Sequence, residues 1–242
     1  MLRLVCLTGW ERAVNSAPRN LAIVARIAST PPVLGQRSFM GLAILILGLV
    51  IFLGVHVFTS LRDRRAKLIE RLGVGPYKAI YSVEAAAGFV LIVIGFGRYR
   101  ATGWIDIWHP PAWTRVVAAV LIWPAFISVT AAYIRGDIAR TLKHPMLVGI
   151  KLWAFAHLIA NGDLGSIILF GSVLAWAVYD RISLKHRSDA GALPIPYGGR
   201  QNDIIAVVVG TIIYLAFGLV FHPLWIGMPV FGSTALASFG LT

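Results

Sequence analysis

Six stretches of the chain are apolar for long enough to cross or nearly cross a bilayer, and the charged residues collect between them. They cover residues 40–58, 78–96, 113–133, 145–158, 166–178 and 204–221, where a spanning helix needs about 20 apolar residues. The fourth and fifth are short, so their ends must reach into interfacial sequence or tilt little. No period-two alternation of apolar and polar positions, the mark of a membrane barrel, runs through them. The pattern predicts an all-α fold: a polytopic transmembrane helical bundle of about six spans.

The loops between these runs differ in charge, and basic loops favour the cytoplasmic side. The first carries Arg62, Arg64, Arg65, Lys67, Arg71 and Lys78, the third Arg135, Arg140 and Lys143, the fifth Arg181, Lys185, Arg187 and Arg200. The fourth, residues 159–165, has none, and neither has the tail after His222. Odd loops are therefore expected in the cytoplasm, with both termini outside for a chain starting at Met40 in a cell inner membrane. Arg98, Arg100 and Arg115 around the second loop weaken this bias without reversing it. Trp104, Trp108, Trp113 and Trp225 on one side, and Tyr77 and Tyr81 on the other, read as interfacial belts.

Composition agrees with a membrane protein: 58% of residues are hydrophobic and only 13% charged, where a soluble domain has about a quarter charged. A net charge of +12 would suggest nucleic acid if it formed one stripe on a soluble surface. Here the basic residues sit between spans, where they set topology and meet lipid headgroups, so no nucleic-acid partner is expected. The single cysteine, Cys6, allows no intrachain disulfide and no thiolate site within the spans, so His, carboxylate or backbone must hold any metal or cofactor. Residues 1–39 are Arg-rich with Glu11 as their one acid. They are expected to lie outside the fold, as an over-called start or a targeting segment. The domain proper is then 40–230, with a short tail over 231–242.

Ionisable groups inside a span are costly unless they find a partner or a cavity, so each is a functional candidate. They are His56, Glu84, Lys151 and His157, with His144 at a boundary. Thr59 and Ser60 share a helical face with His56, and a hydroxyl there is expected to orient its ring; a structural histidine bonded to a neighbouring helix is the plainer reading. His144 and Lys151 share one face of the fourth span, and His157 lies well round the helix with Trp153, Ala154 and Asn161. Pro145 suits a first helical turn, and Asn161-Gly162-Asp163 a helix stop. Glu84 should be protonated or paired, with Lys151, Arg62 or a histidine as partner. His109, His186 and His222 read as surface or boundary residues.

Gly54-Val55-His56 through Ser60-Leu61-Arg62, followed by His144-Pro145, Gly149, Leu152-Trp153, Ala156-His157-Leu158 and Asn161-Gly162-Asp163, resembles the NnrU family. The likeness runs from about Met40 to the end of the sixth span. It implies a bacterial membrane protein associated with nitrite and nitric oxide metabolism in denitrifiers, with denitrification or respiratory enzymes as possible partners. Plant ζ-carotene isomerase is a distant relative, and that branch implies haem b, with His56 and His157 as axial ligands of its iron. There a cysteine three residues before the second histidine takes part in a redox-linked ligand switch; this chain has Ala154, which puts the switch and redox-dependent isomerisation in doubt. Depth sets a further condition. Counted from the basic ends of their spans at about 1.5 Å per residue, His56 lies about 9 Å deep and His157 about 20 Å. Axial ligands of one iron must come closer than that, so His144 is held as the reserve ligand or a propionate neighbour.

Two other functions compete. Lys143-His144-Pro145-Met146-Leu147-Val148-Gly149 is similar to the Arg-His-Pro-x-Tyr-x-Gly sequence of membrane methyltransferases that use S-adenosylmethionine, but lacks the Arg and Tyr. Tyr179 to Arg187 does not supply their later acidic segment. A cofactor-free transporter or assembly factor would instead use the buried His and Lys for protons or helix contacts; no inverted repeat favours transport.

Overall fold

The computed structural model describes residues 34–188 and 198–231. Residues 1–33 of the expected extension and 232–242 of the tail lie outside the described residues. The order is α1 (Leu34–Ser60), α2 (Arg62–Leu72), α3 (Val74–Ala101), α4 (Trp113–Tyr133), α5 (Asp137–Leu142), α6 (Pro145–Ala160), α7 (Leu164–Ser188) and α8 (Arg200–Ala216). A π-helical segment, Phe217–Ile226, continues α8. The first helix starts at Leu34, ahead of Met40.

Five helices are long and apolar enough to cross a membrane: Phe39–Ser60, Val74–Ala101, Trp113–Tyr133, Leu164–His186 and Arg200–Ile226. With α6, they make the expected all-α membrane bundle. The span expected over 166–178 is longer at both ends. α6 has 16 residues, about 24 Å at 1.5 Å per residue against about 30 Å of hydrocarbon. It begins at Pro145, which suits a first helical turn because a first-turn N–H has no partner to lose. The packing order is α3, α1, α7, α6, α4, α8, each helix against the next.

The closest seam, α1 against α3, comes from a heptad-like spacing of small and large residues. Gly41, Leu45, Gly48 and Phe52 meet Tyr99, Gly95, Ile92 and Gly88 in antiparallel order. A side-chain carbon built on Gly48 would lie 2.6 Å from the Ile92 nitrogen, and one on Gly88 2.7 Å from the Phe52 nitrogen. Only a hydrogen fits, and the two backbones touch, as small residues permit in membrane helices. Leu42, Leu45, Leu49, Ile92 and Tyr99 then join Leu169 and Phe170 of α7 in one core. Outward positions are apolar too, with Val83 68% and Val116 66% exposed, a surface suited to lipid rather than water.

Polar knots close both ends. At the end carrying α2 and α5, called the basic end here, the Asp203 carboxylate accepts the Asp137 and Ile138 amides at 3.0 Å each. α8 thereby caps α5. Asp203→Ala should cost about 1 kcal/mol, a typical cap loss, read as faster hydrogen exchange confined to residues 137–142. At the far end Asp163 caps α7, accepting the Ser166 amide at 3.0 Å and its hydroxyl at 2.6 Å, and pairs with Arg100 at 3.2 Å. Arg100 also lies over the Trp104 ring, 4.7 Å from its centroid. The Asn161-Gly162-Asp163 turn works as expected, and the Gly162 carbonyl accepts the Ile107 and Trp108 amides. Trp113 and Trp225 are exposed as belt residues should be, but Tyr77 is buried beneath Arg65.

Candidate functional site

His56 stands four residues before the end of α1, towards the basic end. Its Nδ1 lies 2.6 Å from the Phe52 carbonyl oxygen. A carbonyl can only accept, so Nδ1 carries the proton and, in the neutral ring, Nε2 holds the lone pair. Aromatic rings from three helices enclose it: Phe52 with centroids 4.4 Å apart, Tyr81 of α3 at 5.6 Å and Trp176 of α7 at 5.3 Å. The Trp176 indole N–H and the hydroxyl of Tyr77, one turn from Tyr81, are buried without a hydrogen-bond partner among the described residues. The unused Trp176 donor, on a ring that meets His56, is unusual in a packed interior and points to a polar group it would serve. The hydroxyls expected to orient the ring do other work. Thr59 donates to the His56 carbonyl at 2.7 Å and Ser60 to Asp180 at 3.0 Å, the latter tying α1 to α7. Ring orientation comes from the backbone carbonyl one turn back instead.

His157 is built the same way at the other end of the bundle. Its Nδ1 lies 2.9 Å from the Trp153 carbonyl, so the same tautomer leaves Nε2 free. The ring stacks on Phe170 of α7, centroids 4.6 Å apart and planes at 26°. Asn161 donates its side-chain amide to the His157 carbonyl at 2.8 Å and fastens the last turn. Ala154, one turn earlier, is fully buried.

The structure does not bring His56 and His157 together. α7 packs against both of their helices, and their rings meet it at Trp176 and Phe170. Six residues of helix separate those stations, about 9 Å. Two imidazoles on one iron face each other across about 4 Å, twice a metal–imidazole bond. Each histidine has the donor chemistry of a haem ligand, but as a pair they do not fit one iron in this arrangement. His144 does not close the gap. It is the N-cap of α6, its carbonyl accepting the Val148 amide at 3.2 Å, and lies about 20 Å along that helix from His157. Its place at a helix start also accounts for His144-Pro145 without a methyl donor.

The remaining candidates scatter. Glu84 is exposed on α3, the end helix of the row, and has no ion-pair partner among the described residues. Lys151 is half-buried on α6, beyond α1 and α7, and Arg62 opens α2 at the exposed basic end. The pairing expected for Glu84 is therefore absent, because the row order keeps α3 and α6 apart. Asp163 forms the far-end lock with Ser166 and Arg100. An open apolar groove of about 480 Å³ runs beside α1, lined by Val50, Gly54, Val57, Leu61, Ile168 and Ser172. Sequence reasoning missed the aromatic partners Tyr81, Trp176 and Phe170, since contacts between distant helices leave no local periodicity. His222, expected at a surface or boundary, lies in the π-helical segment four residues before its end, in an exposed bond with the Met228 carbonyl.

Among the described residues, no three His, Cys, Asp or Glu side chains gather as a metal site. No curated protein and no solved structure matches the chain. The family model described as NnrU protein matches residues 44–230, from early in α1 to just beyond the π-helical segment, and so takes in every histidine station above. That match covers well over half the sequence, and the chain belongs to the NnrU family.

Proposed function

We propose that this membrane protein binds haem b through imidazole and serves nitrite and nitric oxide metabolism, acting beside a respiratory or denitrification enzyme. The observation that carries the reading is the shared setting of His56 and His157. In each, a backbone carbonyl one turn back fixes the tautomer and leaves Nε2 as the lone-pair donor, the arrangement of metal-ligating histidines. Flanking aromatics exclude water and hold each ring to one rotamer. Bound haem would supply electron transfer or nitric oxide binding, tuned by ligand type and burial. With Ala154 buried where the switch needs a thiol, isomerisation by that route has no support.

A denitrifying host lacking its own copy tests the role. The wild-type chain should restore nitric oxide turnover, measured with an electrode, while His157→Ala restores about a tenth or less, the usual scale for a disturbed ligand shell. Full turnover from a double variant lacking both His56 and His157 would end the reading.

A further inference from the structure

An apolar groove and a patch of positive charge meet at the basic end of α1. The groove follows one stripe of that helix from Ile46 to Leu61, with Ile168 and Ser172 of α7 opposite. Between those two α1 residues the helix rises about 22 Å, against about 15 Å for one half of the hydrocarbon layer. Phe39–Ser60 is long and apolar enough to cross a membrane, so the groove faces hydrocarbon rather than water. Gly54 keeps it open, because a side-chain carbon built there meets nothing within 4 Å. This stripe is distinct from the one that meets α3 through Gly41, Leu45, Gly48 and Phe52, and it does not include His56. The groove is therefore separate from the histidine stations.

The mouth of the groove is cationic. Leu61, its last lining residue on α1, leads directly into α2, where Arg62, Arg64, Arg65 and Lys67 are all exposed. With Arg71 that helix carries five basic residues, offset by Asp63 and Glu70. Arg181 of α7 stands at the same end. The Ser60 hydroxyl donates to the Asp180 carboxylate at 3.0 Å, which fastens the residues next to each of them together. Lipid tails elsewhere are as apolar as this lining, so the groove alone would select no lipid from its neighbours. Cations at the membrane surface do select, in favour of anionic headgroups.

We propose that this groove binds one anionic phospholipid from the leaflet at the basic end. An acyl chain lies along α1 past Gly54, and the phosphate sits at Arg62 and Arg181. Shape admits the tail, and charge chooses the headgroup.

Native mass spectrometry of the full chain in detergent tests this, with dioleoyl phosphatidylglycerol or dioleoyl phosphatidylcholine added. Wild type should retain one phosphatidylglycerol about tenfold or more tightly than phosphatidylcholine, since each cation near the surface is worth about fivefold. Arg62→Gln should weaken retention about fivefold, and Arg62→Gln with Arg181→Gln about 25-fold. Arg71→Gln, about 14 Å along α2 from Arg62, should stay within about twofold of wild type. Gly54→Leu should lose the lipid at an unchanged unfolding temperature, while Gly54→Ser, too small to fill the groove, keeps it. Phosphatidylcholine held as tightly as phosphatidylglycerol, or wild-type retention by Gly54→Leu, overturns the site. So does an equal loss in Arg71→Gln and Arg62→Gln, which would make the attraction one of scattered surface charge. A dimer that Gly54→Leu dissociates would give the groove to a second copy of the chain and overturn the lipid as its occupant.

Discussion

Gly95→Val is expected to abolish assembly of the α1–α3 pair. A side-chain carbon at position 95 would fall on the Leu45 backbone, at the nitrogen and Cα, with the Ile44 carbonyl carbon beside them. None of these atoms belongs to a flexible side chain, so the helices must separate. Separation also opens the neighbouring contacts at Gly41, Gly48 and Gly88, and lifts Leu45 and Tyr99 from the core they fully enter. Overpacking a core costs about 1–3 kcal/mol when side chains can adjust, and more where they cannot; the cost here should exceed that range. Helix association in lipid has no hydrophobic drive to offset the loss. Gly54→Val is the matched control, because a side chain there meets open space along the groove. Thermal unfolding in detergent should show a large drop for Gly95→Val and little change for Gly54→Val. Equal stability of the two variants would contradict the seam.

The second large effect lies at the far end. Asp163→Ala removes the α7 cap and leaves Arg100 with its carboxylate partner gone. The Asp163 side chain is 5% exposed and Arg100 28%, so water can solvate only part of the abandoned guanidinium. Cap loss costs about 1 kcal/mol, and removing one member of a buried pair about 3–5. Because Arg100 is partly exposed and cradled by Trp104, about 3 kcal/mol in total is the expected loss. Asp163→Asn keeps an acceptor for the Ser166 amide and should lose about half as much. Denaturant unfolding of the three proteins would read this, and an Asn variant as weak as the Ala variant would place the whole effect on charge.

How far the sequence carried the reading differs between the bundle and the site. Helices in lipid must satisfy their own backbone, so a run of apolar residues almost dictates a helix, and five spanning helices and the shorter α6 could be placed from hydropathy alone. Their exact ends could not, because capping by Asp163 and Asp203 depends on residues brought in from the loop turn or from another helix. Proline signalled the start of α6. No pattern signalled the π-helical segment, since hydropathy is blind to the number of residues per turn.

The histidines show the same limit. Their depth along each helix was countable, and the mismatch between His56 and His157 was visible from 1.5 Å per residue alone. Which helices flank each other was not, because row order is set by side-chain shape at seams such as Gly88 against Phe52. Glu84 illustrates the consequence. Its proposed partners were reasonable by charge, but they stand on other helices or beyond the membrane-facing surface. The partner of His222 was hidden for a related reason: its carbonyl comes from Met228, after a left-handed turn at Gly227. The family resemblance, by contrast, rested on local text in α1 and α6, and the family match over residues 44–230 bears it out.

The optical spectrum of the full chain purified from haem-replete cells tests the proposed function most directly. The account predicts a stoichiometric haem b held through imidazole, whose reduced α and β bands change or vanish in His157→Ala. Protein that carries no haem from such cells, yet restores nitric oxide turnover in the deletion host, would contradict it.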